Sequence, residues 1–550
     1  AEFFAESGVQ FIAHNLQMEL EWSIHEFGEE ALEAVWHDSM SMAYVLDPRK
    51  GTLNLNFQSL ATLGYPVKSM SPQLNMRQMH VEPLDQVLPY NGLDAIACLD
   101  VFLELDSRLE DPGTRAAYGR QVRTTIAYVQ MLREGIPVKA EVVKEFNDRL
   151  ETAEASARTA IQASKQARLF KRSLGRVFDP GVDADLDALF GGLLGRDEIV
   201  VERRDKNTKK MVTKKSFDAE VLKAMDDLEI SGAILDLRAQ EKLLKTYIRP
   251  LAGWVFPDGC LHPSVNVNFT STSRSSWFDP AMQNWPRRQN AWIRAVIEAF
   301  KGQSVIACDY GQIEARVIAT ASGDDHYRNA LWTGLDIHYD WALWFLEHVR
   351  NYERFVQKQA KTKDETAVIK WARDRVKNKW VFPEFFGASI PSLASYMEIT
   401  DKDAAAADKA FWREFGGVKE WQERLLSEYR QYGYITMLSG RRVYGPMSKN
   451  EVFNYSVQGF ASEIQKHAMC EVINEGFLPK LEIHDDLTFF LDKKGLSRSV
   501  NRIGEIMCKS PLEAFPMIDV PLTVEVKEGP NWADLEEIKV FSSEDFGHKR

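Results

Sequence analysis

Two stretches of the sequence place aspartates directly beside runs of apolar residues. In the first, the apolar run that begins at Val305 predicts a buried strand, and Asp309 ends it. In the second, His484, Asp485 and Asp486 lie between two apolar runs, which predicts a β-hairpin with acids at its tip. A carboxylate in such a place is costly unless it faces a cleft and binds a cation. Two strands that each present an aspartate could hold two Mg²⁺ ions for in-line displacement at phosphorus, although either acid alone could equally be a turn residue at a strand end.

The segment 309–314 and the triplet His484-Asp485-Asp486 resemble the first and third polymerase motifs of family A DNA polymerases, the family of bacterial DNA polymerase I. The resemblance implies that Asp309 and Asp485 are catalytic and bind two Mg²⁺ ions, for which Mn²⁺ can substitute. It also implies that Asp486 is a supporting catalytic acid, in a place where the family usually has Glu.

Other residues of these motifs take their expected roles from the same resemblance. Tyr310 is expected to bind both the metal and the incoming dNTP, and Gln312 to bind the dNTP. Glu314 is expected to block the sugar 2′ position and so favour deoxynucleotides, while His484 is expected to contact DNA. The triplet Asp-Ile-His that ends at His338 resembles a family triplet whose histidine contacts the triphosphate, although a lone helix histidine is usually structural.

The segment 373–387 resembles the second polymerase motif, Arg-x3-Lys-x3-Phe/Tyr-x3-Tyr-Gly. Arg373 and Lys377 are four positions apart, so both cations share a helix face and can meet the incoming triphosphate. The resemblance makes Lys377 catalytic at the leaving group. Phe382 and Phe386 are expected to stack on the base and close the dNTP pocket.

The spacing in this segment departs from the family motif. Lys377 and Phe382 are five positions apart where the family has four, and a π-bulge in the helix could absorb the extra residue. The alternative cation pair, Arg375 and Lys379, leaves only three positions before Phe382. The sequence therefore leaves open which lysine, Lys377 or Lys379, acts on the triphosphate.

Three further candidates lie in a polar loop shortly before the first motif. Residues 272–286 resemble the family segment TGRLSS..PNLQNIP, with Ser273 in place of Gly. Arg274, Gln283 and Asn284 are expected to contact the minor-groove acceptors that every base pair shares, and so to test pair geometry without reading sequence.

Residues 454–464 resemble the family helix Asn-x3-Gln-Gly-x-Ala-x-x-Ile. This resemblance adds Asn454 and Gln458 as DNA-binding candidates, with Gln458 on the template strand.

The first hundred residues carry part of a second resemblance. Residues 11–19 resemble the second motif of the family's 3′–5′ exonuclease, with Glu19 where the motif usually ends in Asp, and Tyr90 and Asp94 match the third motif, Tyr-x3-Asp. Carboxylates that hold two metals and a tyrosine that orients water would suit phosphodiester hydrolysis. The first motif, Asp-x-Glu, is expected upstream of the given sequence.

Composition excludes some classes of protein. A chain of 550 residues with 45% hydrophobic and 27% charged residues suits a soluble multidomain protein, and no apolar run approaches the roughly 20 residues that span a bilayer. Five scattered cysteines show no zinc spacing, which indicates a reducing compartment. The net charge of -12 argues against a nucleic-acid partner, yet residues 203–215 carry seven Lys/Arg. That run is either a solvated mobile loop, a phosphate-binding segment, or both.

Periodicity and turn residues predict the main elements. Apolar residues at helix spacing dominate residues 111–260, and a helix over 243–250 is expected to stop at Pro250. Residues 433–442 predict a hairpin, 520–526 predict an alternating strand, and the residues after Ser542 predict a solvated tail.

The resemblance implies an α/β multidomain fold of the right-hand type, with an antiparallel palm sheet and helical fingers and thumb after a partial ribonuclease H-like exonuclease domain. The expected domains are the partial exonuclease (1–110), thumb (111–260), first part of the palm (261–334), fingers (335–430) and second part of the palm (431–550).

The expected function is template-directed DNA synthesis on primer-template DNA with dNTPs by a two-metal mechanism. The protein is expected to be a replicative monomer of bacteriophage origin that acts in the host cytoplasm, with proofreading in the full-length protein and with no membrane partner. Replisome or processivity partners are not identifiable from the sequence. Two alternatives remain: a single-subunit RNA polymerase, and a non-catalytic primer-template binding protein.

Overall fold

Short strands are distributed along the whole chain. The computed structural model describes residue 4 and residues 9–49, 51–70, 74–75, 78–204 and 211–550. Within these residues the strands are β1 (Gln10–Ala13), β2 (Val35–Asp38), β3 (Ile136–Pro137), β4 (Val200–Arg204), β5 (Met211–Lys215), β6 (Cys260–Leu261), β7 (Ser264–Asn266), β8 (Ser276–Phe278), β9 (Gln303–Tyr310), β10 (Tyr434–Thr436), β11 (Arg442–Tyr444), β12 (Leu481–Ile483), β13 (Asp486–Asp492), β14 (Thr523–Gly529) and β15 (Glu536–Ser542).

Helices supply most of the remaining structure. The α-helices are α1 (Leu16–Phe27), α2 (Ser39–Leu46), α3 (Leu55–Leu63), α4 (Val67–Met70), α5 (Leu84–Ser107), α6 (Pro112–Arg133), α7 (Ala140–Ala163), α8 (Lys165–Leu174), α9 (Asp183–Leu186), α10 (Ala219–Ala224), α11 (Glu229–Leu243), α12 (Arg249–Trp254), α13 (Ile313–Ser322), α14 (Asp325–Thr333), α15 (Ile337–His348), α16 (Tyr352–Ala360), α17 (Glu365–Val376), α18 (Phe382–Phe385), α19 (Ile390–Met397), α20 (Asp401–Glu414), α21 (Gly416–Tyr432), α22 (Lys449–Asn454), α23 (Phe460–Asn474) and α24 (Leu496–Ala514). Segments of π-helix occupy Asp187–Leu193, Leu244–Ile248, Lys377–Val381 and Tyr455–Gly459. In the described ranges, no helix combines the length and the apolar character needed to cross a membrane.

Strand β9 lies at the middle of a five-stranded antiparallel sheet with the order β12-β13-β9-β14-β15. The apolar residues from Val305 to Cys308 are all buried, as expected of a strand covered on both faces. Asp309 lies opposite Asp486 on β13 and opposite Glu525 on β14. Because opposed residues of antiparallel strands project from the same face, these three acids share one face of the sheet. The predicted buried strand and the predicted hairpin are both confirmed.

Three apolar clusters hold the chain together. The largest joins the central sheet to the helices from α13 onward and to parts of α6, α7, α11 and α12. The second joins the parallel pair β1 and β2 to α1, α2, α5 and α6, and the third lies within residues 161–237. The predicted α/β multidomain class is confirmed, while the predicted domain limits stay predictions.

Two local predictions are wrong. The helix predicted to stop at Pro250 instead continues through this residue into α12, directly after the π segment Leu244–Ile248. The residues after Ser542 are not a free tail, because Ser543 is buried. Its amide donates to the carbonyl of Leu522 at 2.8 Å, and its hydroxyl accepts from the amide of Leu522 at 3.0 Å.

The basic run 203–215 is partly described. Its ends form the antiparallel hairpin β4–β5, so these ends are not a loop. Lys215 forms an ion pair with Asp187 at 2.5 Å, and Lys214 is exposed. Lys206, Lys209 and Lys210 lie outside the described residues.

Candidate active site

The hairpin β12–β13 brings the two aspartate motifs together. Its two-residue turn consists of His484 and Asp485, and His484 has a φ of 67°. That left-handed conformation costs a non-glycine residue about 1 kcal/mol, and such positions cluster at functional sites. The amide of Tyr310 donates to the carbonyl of Asp485 at 3.2 Å, so the turn lies directly against the end of β9. The aspartates of both motifs therefore meet at one end of the central sheet.

The three carboxyl groups at this end of the sheet resist ionisation. Burial, followed by the charges of Asp486 and Asp485, raises the pKa of Asp309 to about 8. Burial raises the pKa of Asp486 to about 6, although the hydroxyl of Thr488 donates to it at 2.6 Å. Burial also raises the pKa of Asp485. Carboxylates that are crowded in this way are stabilised in their charged form by a bound cation.

This donor set fits divalent cations that take part of their coordination shell from a substrate. Among the described residues, no group of three or more His, Cys, Asp or Glu side chains is arranged to hold a metal by itself. Mg²⁺ is usually held by one or two carboxylates, and water and substrate phosphates complete its shell. Asp309 and Asp485, with Asp486 beside them, would supply those carboxylates.

Arg287 is a cation beside these acids that sequence reasoning missed. Its Nη2 donates to the carbonyl of Ile483 at 3.1 Å, which holds the guanidinium group against the hairpin. Its charge opposes the rise in pKa that burial causes for Asp309, Asp485 and Asp486. The sequence signal, two consecutive arginines, is too common to single this residue out.

The turn between β9 and α13 decides which groups of the first motif face the acids. Gly311 has no room for a Cβ, because that atom would collide with the hydroxyl of Thr523, and Gln312 has a φ of 53°. The side chain of Tyr310 points away from the acids, since it is 2% exposed and its hydroxyl donates to the carbonyl of Met507 at 2.6 Å. The ring of Tyr310 therefore contacts neither metal nor nucleotide, and only its main chain is available for the predicted role.

Glu314 and Arg274 form an ion pair at the mouth of the site. Nη2 of Arg274 lies 2.7 Å from Oε1 of Glu314, on the first turn of α13. Burial raises the pKa of Glu314, and the guanidinium group of Arg274 opposes that rise. A residue predicted to contact DNA and a residue predicted to select the sugar therefore contact each other directly.

A π-helical turn accommodates the extra residue of the second motif. The π segment Lys377–Val381 joins α17 to α18, so the predicted π-bulge is confirmed. It brings Nζ of Lys377 to 5.9 Å from the ring centroid of Phe382. Nζ of Lys379 instead lies 5.5 Å from the ring of Tyr396, on an exposed side chain. The geometry therefore favours Lys377 over Lys379 as the cation beside the aromatic residues.

Asp336 holds Arg373 against the start of α15. It caps that helix by accepting from the amide of His338 at 3.1 Å, and it accepts from Nε of Arg373 at 2.6 Å. The ring of His338 is 2% exposed and lies 5.8 Å from the ring of Phe382, and neither ring nitrogen has a partner among the described residues. Burial, and then the charge of Lys377, lowers the pKa of His338 to about 4. His338 is therefore neutral at physiological pH.

The helix that carries Asn454 and Gln458 also contains a π segment, Tyr455–Gly459. Both side chains are half-buried. Phe386 is half-buried as well, and the glycine after it leaves room for the ring of Phe453. The end of the second motif therefore packs beside the start of the predicted template-contact helix.

Hydrogen bonds to other parts of the chain and within the loop hold the predicted minor-groove loop in place. Ser273 has a φ of 60°, a conformation that suits the glycine of the family motif, and its hydroxyl accepts from Arg441 at 2.9 Å. The amide nitrogen of Gln283 donates to the carbonyl and the hydroxyl of Ser275 at 3.1 and 3.0 Å. Asn284 is exposed, and its carbonyl accepts from Tyr247 at 2.9 Å.

The residues predicted for an exonuclease lie near one another. Burial, together with the nearby charges of Asp38, Glu19 and Asp94, raises the pKa of the Cys98 thiol to about 11. Tyr90 interacts with the carboxyl group of Asp94. Asp38 was missed by sequence reasoning, and its signal was its place directly before the buried helix α2, which it caps.

The paired acids at one end of an antiparallel sheet, with the ion pair of Arg274 and Glu314 beside them, suit a nucleic-acid polymerase fold of the right-hand type. A family model described as DNA polymerase family A matches residues 150–534. The chain belongs to this family. Polymerases of family A use divalent metal ions, which agrees with the donor set described above.

Known relatives and a solved structure agree with this assignment. The chain is 30% identical over 457 residues to the thermostable DNA polymerase I of Thermus aquaticus, covering 80% of this chain and 51% of the relative. It is 27% identical over 565 residues to the DNA polymerase I of Chloroflexus aurantiacus, covering 97% of this chain and 56% of the relative. The chain thus spans about half the length of these curated relatives.

The POL domain of Pol1 from M. smegmatis, solved in complex with DNA primer-template and dNTP, has the same fold. It aligns with a TM-score of 0.73 at 22% identity, over 97% of this chain and 88% of that chain.

Proposed function

We propose that the protein is a DNA-directed DNA polymerase that adds dNTPs to a primer 3′-end on a template strand. The observation that carries this proposal is the meeting of Asp309, Asp485 and Asp486 at one end of the central sheet. Bound by Asp309 and Asp485, divalent cations would lower the pKa of the primer 3′-hydroxyl and neutralise the triphosphate. Asp486 supports them from β13.

The fingers residues bind and orient the triphosphate. Arg373, fixed by Asp336, and the neutral ring of His338 bind its oxygens, and Lys377 stabilises the pyrophosphate that leaves. Phe382 and Phe386 stack on the incoming base.

The minor-groove side of the duplex meets a second set of residues. Arg274, Gln283 and Asn284 contact the primer-template pair, and Asn454, Gln458 and His484 contact the DNA around it. Glu314 excludes a 2′-hydroxyl and so favours deoxynucleotides.

Primer extension on one defined primer-template tests the proposal. We expect Mg²⁺-dependent extension with dNTPs, and little extension with NTPs under the same conditions. Extension with NTPs but not with dNTPs would instead identify an RNA polymerase.

Replacement of one acid distinguishes catalysis from DNA binding. Asp485→Ala should lower extension by at least about 100-fold, since a group preorganised for the transition state is lost. Its affinity for primer-template should change little. Asp492→Asn, at the exposed far end of β13, is the matched control and should extend normally. If Asp485→Ala extended as well as the parent, the protein would be a non-catalytic DNA-binding protein.

We further propose that Glu19, Tyr90 and Asp94 act in proofreading on a mispaired primer end. Removal of a mispaired 3′ nucleotide, measured without dNTPs, should be lost in Asp94→Asn. Equal removal by parent and variant would exclude this site as its source.

The Phe-Pro-Glu-Phe-Phe-Gly form of the second motif supports a replicative enzyme of bacteriophage origin. The genes that neighbour its coding sequence test this origin, and a bacterial housekeeping neighbourhood would contradict it.

A further inference from the structure

Glu482 is a buried carboxylate that the proposed reaction does not use. It lies in the middle of β12, three residues before Asp485, and is 2% exposed. An isolated carboxylate in such a place is strongly destabilising unless charged or polar partners surround it. Its partners therefore indicate what the position is for.

Three donors from two separate parts of the chain converge on one oxygen of Glu482. The hydroxyl of Tyr128, on α6, donates to Oε2 at 2.9 Å, and the indole nitrogen of Trp277, on β8, donates at 3.3 Å. The hydroxyl of Ser275 also donates to this oxygen. Ser275 directly follows Arg274 in the predicted minor-groove loop.

A fourth partner lies on the predicted template-contact helix. Lys466, on α23, is 4% exposed, and its Nζ has no hydrogen-bond partner among the described residues. Its charge interacts favourably with that of Glu482. Burial lowers the pKa of Lys466 to about 8, and the charge of Glu482 opposes this effect. Glu482 thus joins three elements around the base of the catalytic hairpin.

The hydrogen bonds continue from Glu482 to the surface that would face DNA. The side-chain amide of Gln283 donates to Ser275, whose hydroxyl donates to Glu482. From Glu482, β12 leads through Ile483 to the turn that carries Asp485. One short path therefore links the minor-groove loop to a catalytic aspartate.

We infer that Glu482 is a positioning residue that couples the geometry of the primer-terminal base pair to the placement of Asp485. This inference rests on the proposed polymerase function. A matched terminal pair holds Arg274 and Gln283 in place, and Ser275 and Glu482 then hold the hairpin in its working position. A mispaired terminus displaces the loop, and the hydrogen bonds that end at Glu482 no longer support the hairpin.

Single-turnover extension of matched and mispaired primers measures this coupling. In Glu482→Ala we expect the matched rate to fall about tenfold, the size of one lost buried hydrogen bond. The mispaired rate should change much less, because the coupling is already lost there, so discrimination between the two primers falls. Glu482→Gln, which keeps the shape and one acceptor oxygen, should restore part of the loss.

Two further variants separate coupling from simple destabilisation. Tyr128→Phe removes one donor without altering β12, and should reduce discrimination in the same direction by a smaller factor. Asp185→Asn is the matched control, because Asp185 is a buried acid paired with Arg176 in the separate apolar cluster of residues 161–237. It should lower thermal stability without changing discrimination.

Equal losses on both primers in Glu482→Ala and Tyr128→Phe would overturn the inference, since they would show a purely structural role. Unchanged discrimination in Glu482→Gln and Tyr128→Phe would overturn it too, even if Glu482→Ala failed to fold. A parent protein that does not extend a matched primer would contradict the proposed function instead, so the two failures are distinguishable.

Discussion

The ammonium groups of Lys377 and Lys379 have different neighbours, although the sequence alone leaves open which of the two lysines acts on the triphosphate. Lys377 lies beside Phe382 and the buried His338, whereas Lys379 lies over Tyr396 on an exposed side chain. Sequence spacing alone could not separate them, because the deciding feature is the three-dimensional effect of one extra residue in the helix.

Lys377→Ala should therefore lower the rate of single-turnover dNTP addition by about 100-fold, the usual effect of losing a general acid. Lys379→Ala is the matched control and should stay close to the parent. Rapid-quench measurement of both variants at saturating dNTP checks this prediction, and the reverse order of effects would assign the role to Lys379.

Glu384, in α18, makes the folding stability of the protein depend on pH. It is 2% exposed, its Oε1 lacks a partner among the described residues, and burial followed by the charge of Asp408 raises its pKa to about 8. The carboxyl group binds a proton more tightly in the folded than in the unfolded state. Its effect on stability is therefore most favourable below its unfolded pKa, near 4.5, and becomes less favourable as pH rises towards 8.

Glu384→Gln should be more stable than the parent at pH 9 and nearly equal to it at pH 5. Thermal unfolding at pH 5, 7 and 9 measures the difference. Glu347→Gln, on the exposed face of α15, is the control and should track the parent at every pH. A stability difference in Glu384→Gln that does not vary with pH would contradict the assignment.

For Tyr310, the sequence predicts the position of the residue but not the direction of its side chain. The motif placed it correctly beside Asp309, at the end of a buried strand. The direction of its side chain depends on pairing with β14, and the ring packs under α24 against Met507. That partner is distant in the sequence, so no local pattern indicates it.

At the scale of elements, two π-helical segments lie in the two helical runs that carry the predicted dNTP-binding and template-contact residues. Spacing against the family motif predicted the first, Lys377–Val381. The second, Tyr455–Gly459, was not predicted, because the motif there matches without an insertion. A π turn widens the helix and leaves main-chain groups without their usual helical partners, so neighbouring elements must supply other partners. Sequence spacing does not show this.

Deletion of Asn378, an exposed residue of the first π segment, should convert that segment to a regular helix and preserve primer extension. The residues before and after it keep their faces, since a π turn contains one residue more than an α turn needs. Deletion of Lys370 in α17 is the control. It turns the preceding part of the helix by about 100° and should cost about 100-fold in activity through misplacement. Similar losses in both deletions would mean that the π turn itself is required.

At the scale of the whole molecule, a net charge of -12 coexists with a proposed site for polyanionic DNA. Phosphate binding depends on local rather than total charge, and the hairpin β4–β5 presents the exposed Lys214 as part of such a local charge. The order of strands in the central sheet could not be read from the sequence, because helices α13 to α23 lie between β9 and its neighbours β13 and β14.

Lys214→Ala should weaken primer-template binding at low salt and lower the slope of log affinity against log salt by about one. Fluorescence anisotropy across a salt series measures both quantities. Lys215→Ala is a useful comparison, because Lys215 already pairs with Asp187 and should contribute less. An unchanged slope for Lys214→Ala would place this hairpin away from the duplex.

The contact between Arg274 and Glu314 has a consequence for the order in which substrates enter. While the two side chains neutralise each other, the guanidinium group is unavailable to a base pair and the carboxylate is unavailable to a sugar. In the proposed function, a primer terminus that drew Arg274 into its minor groove would release Glu314 to meet the ribose ring. Nucleotide should consequently bind tightly only after the duplex, so that addition follows a compulsory sequence with DNA as the leading substrate.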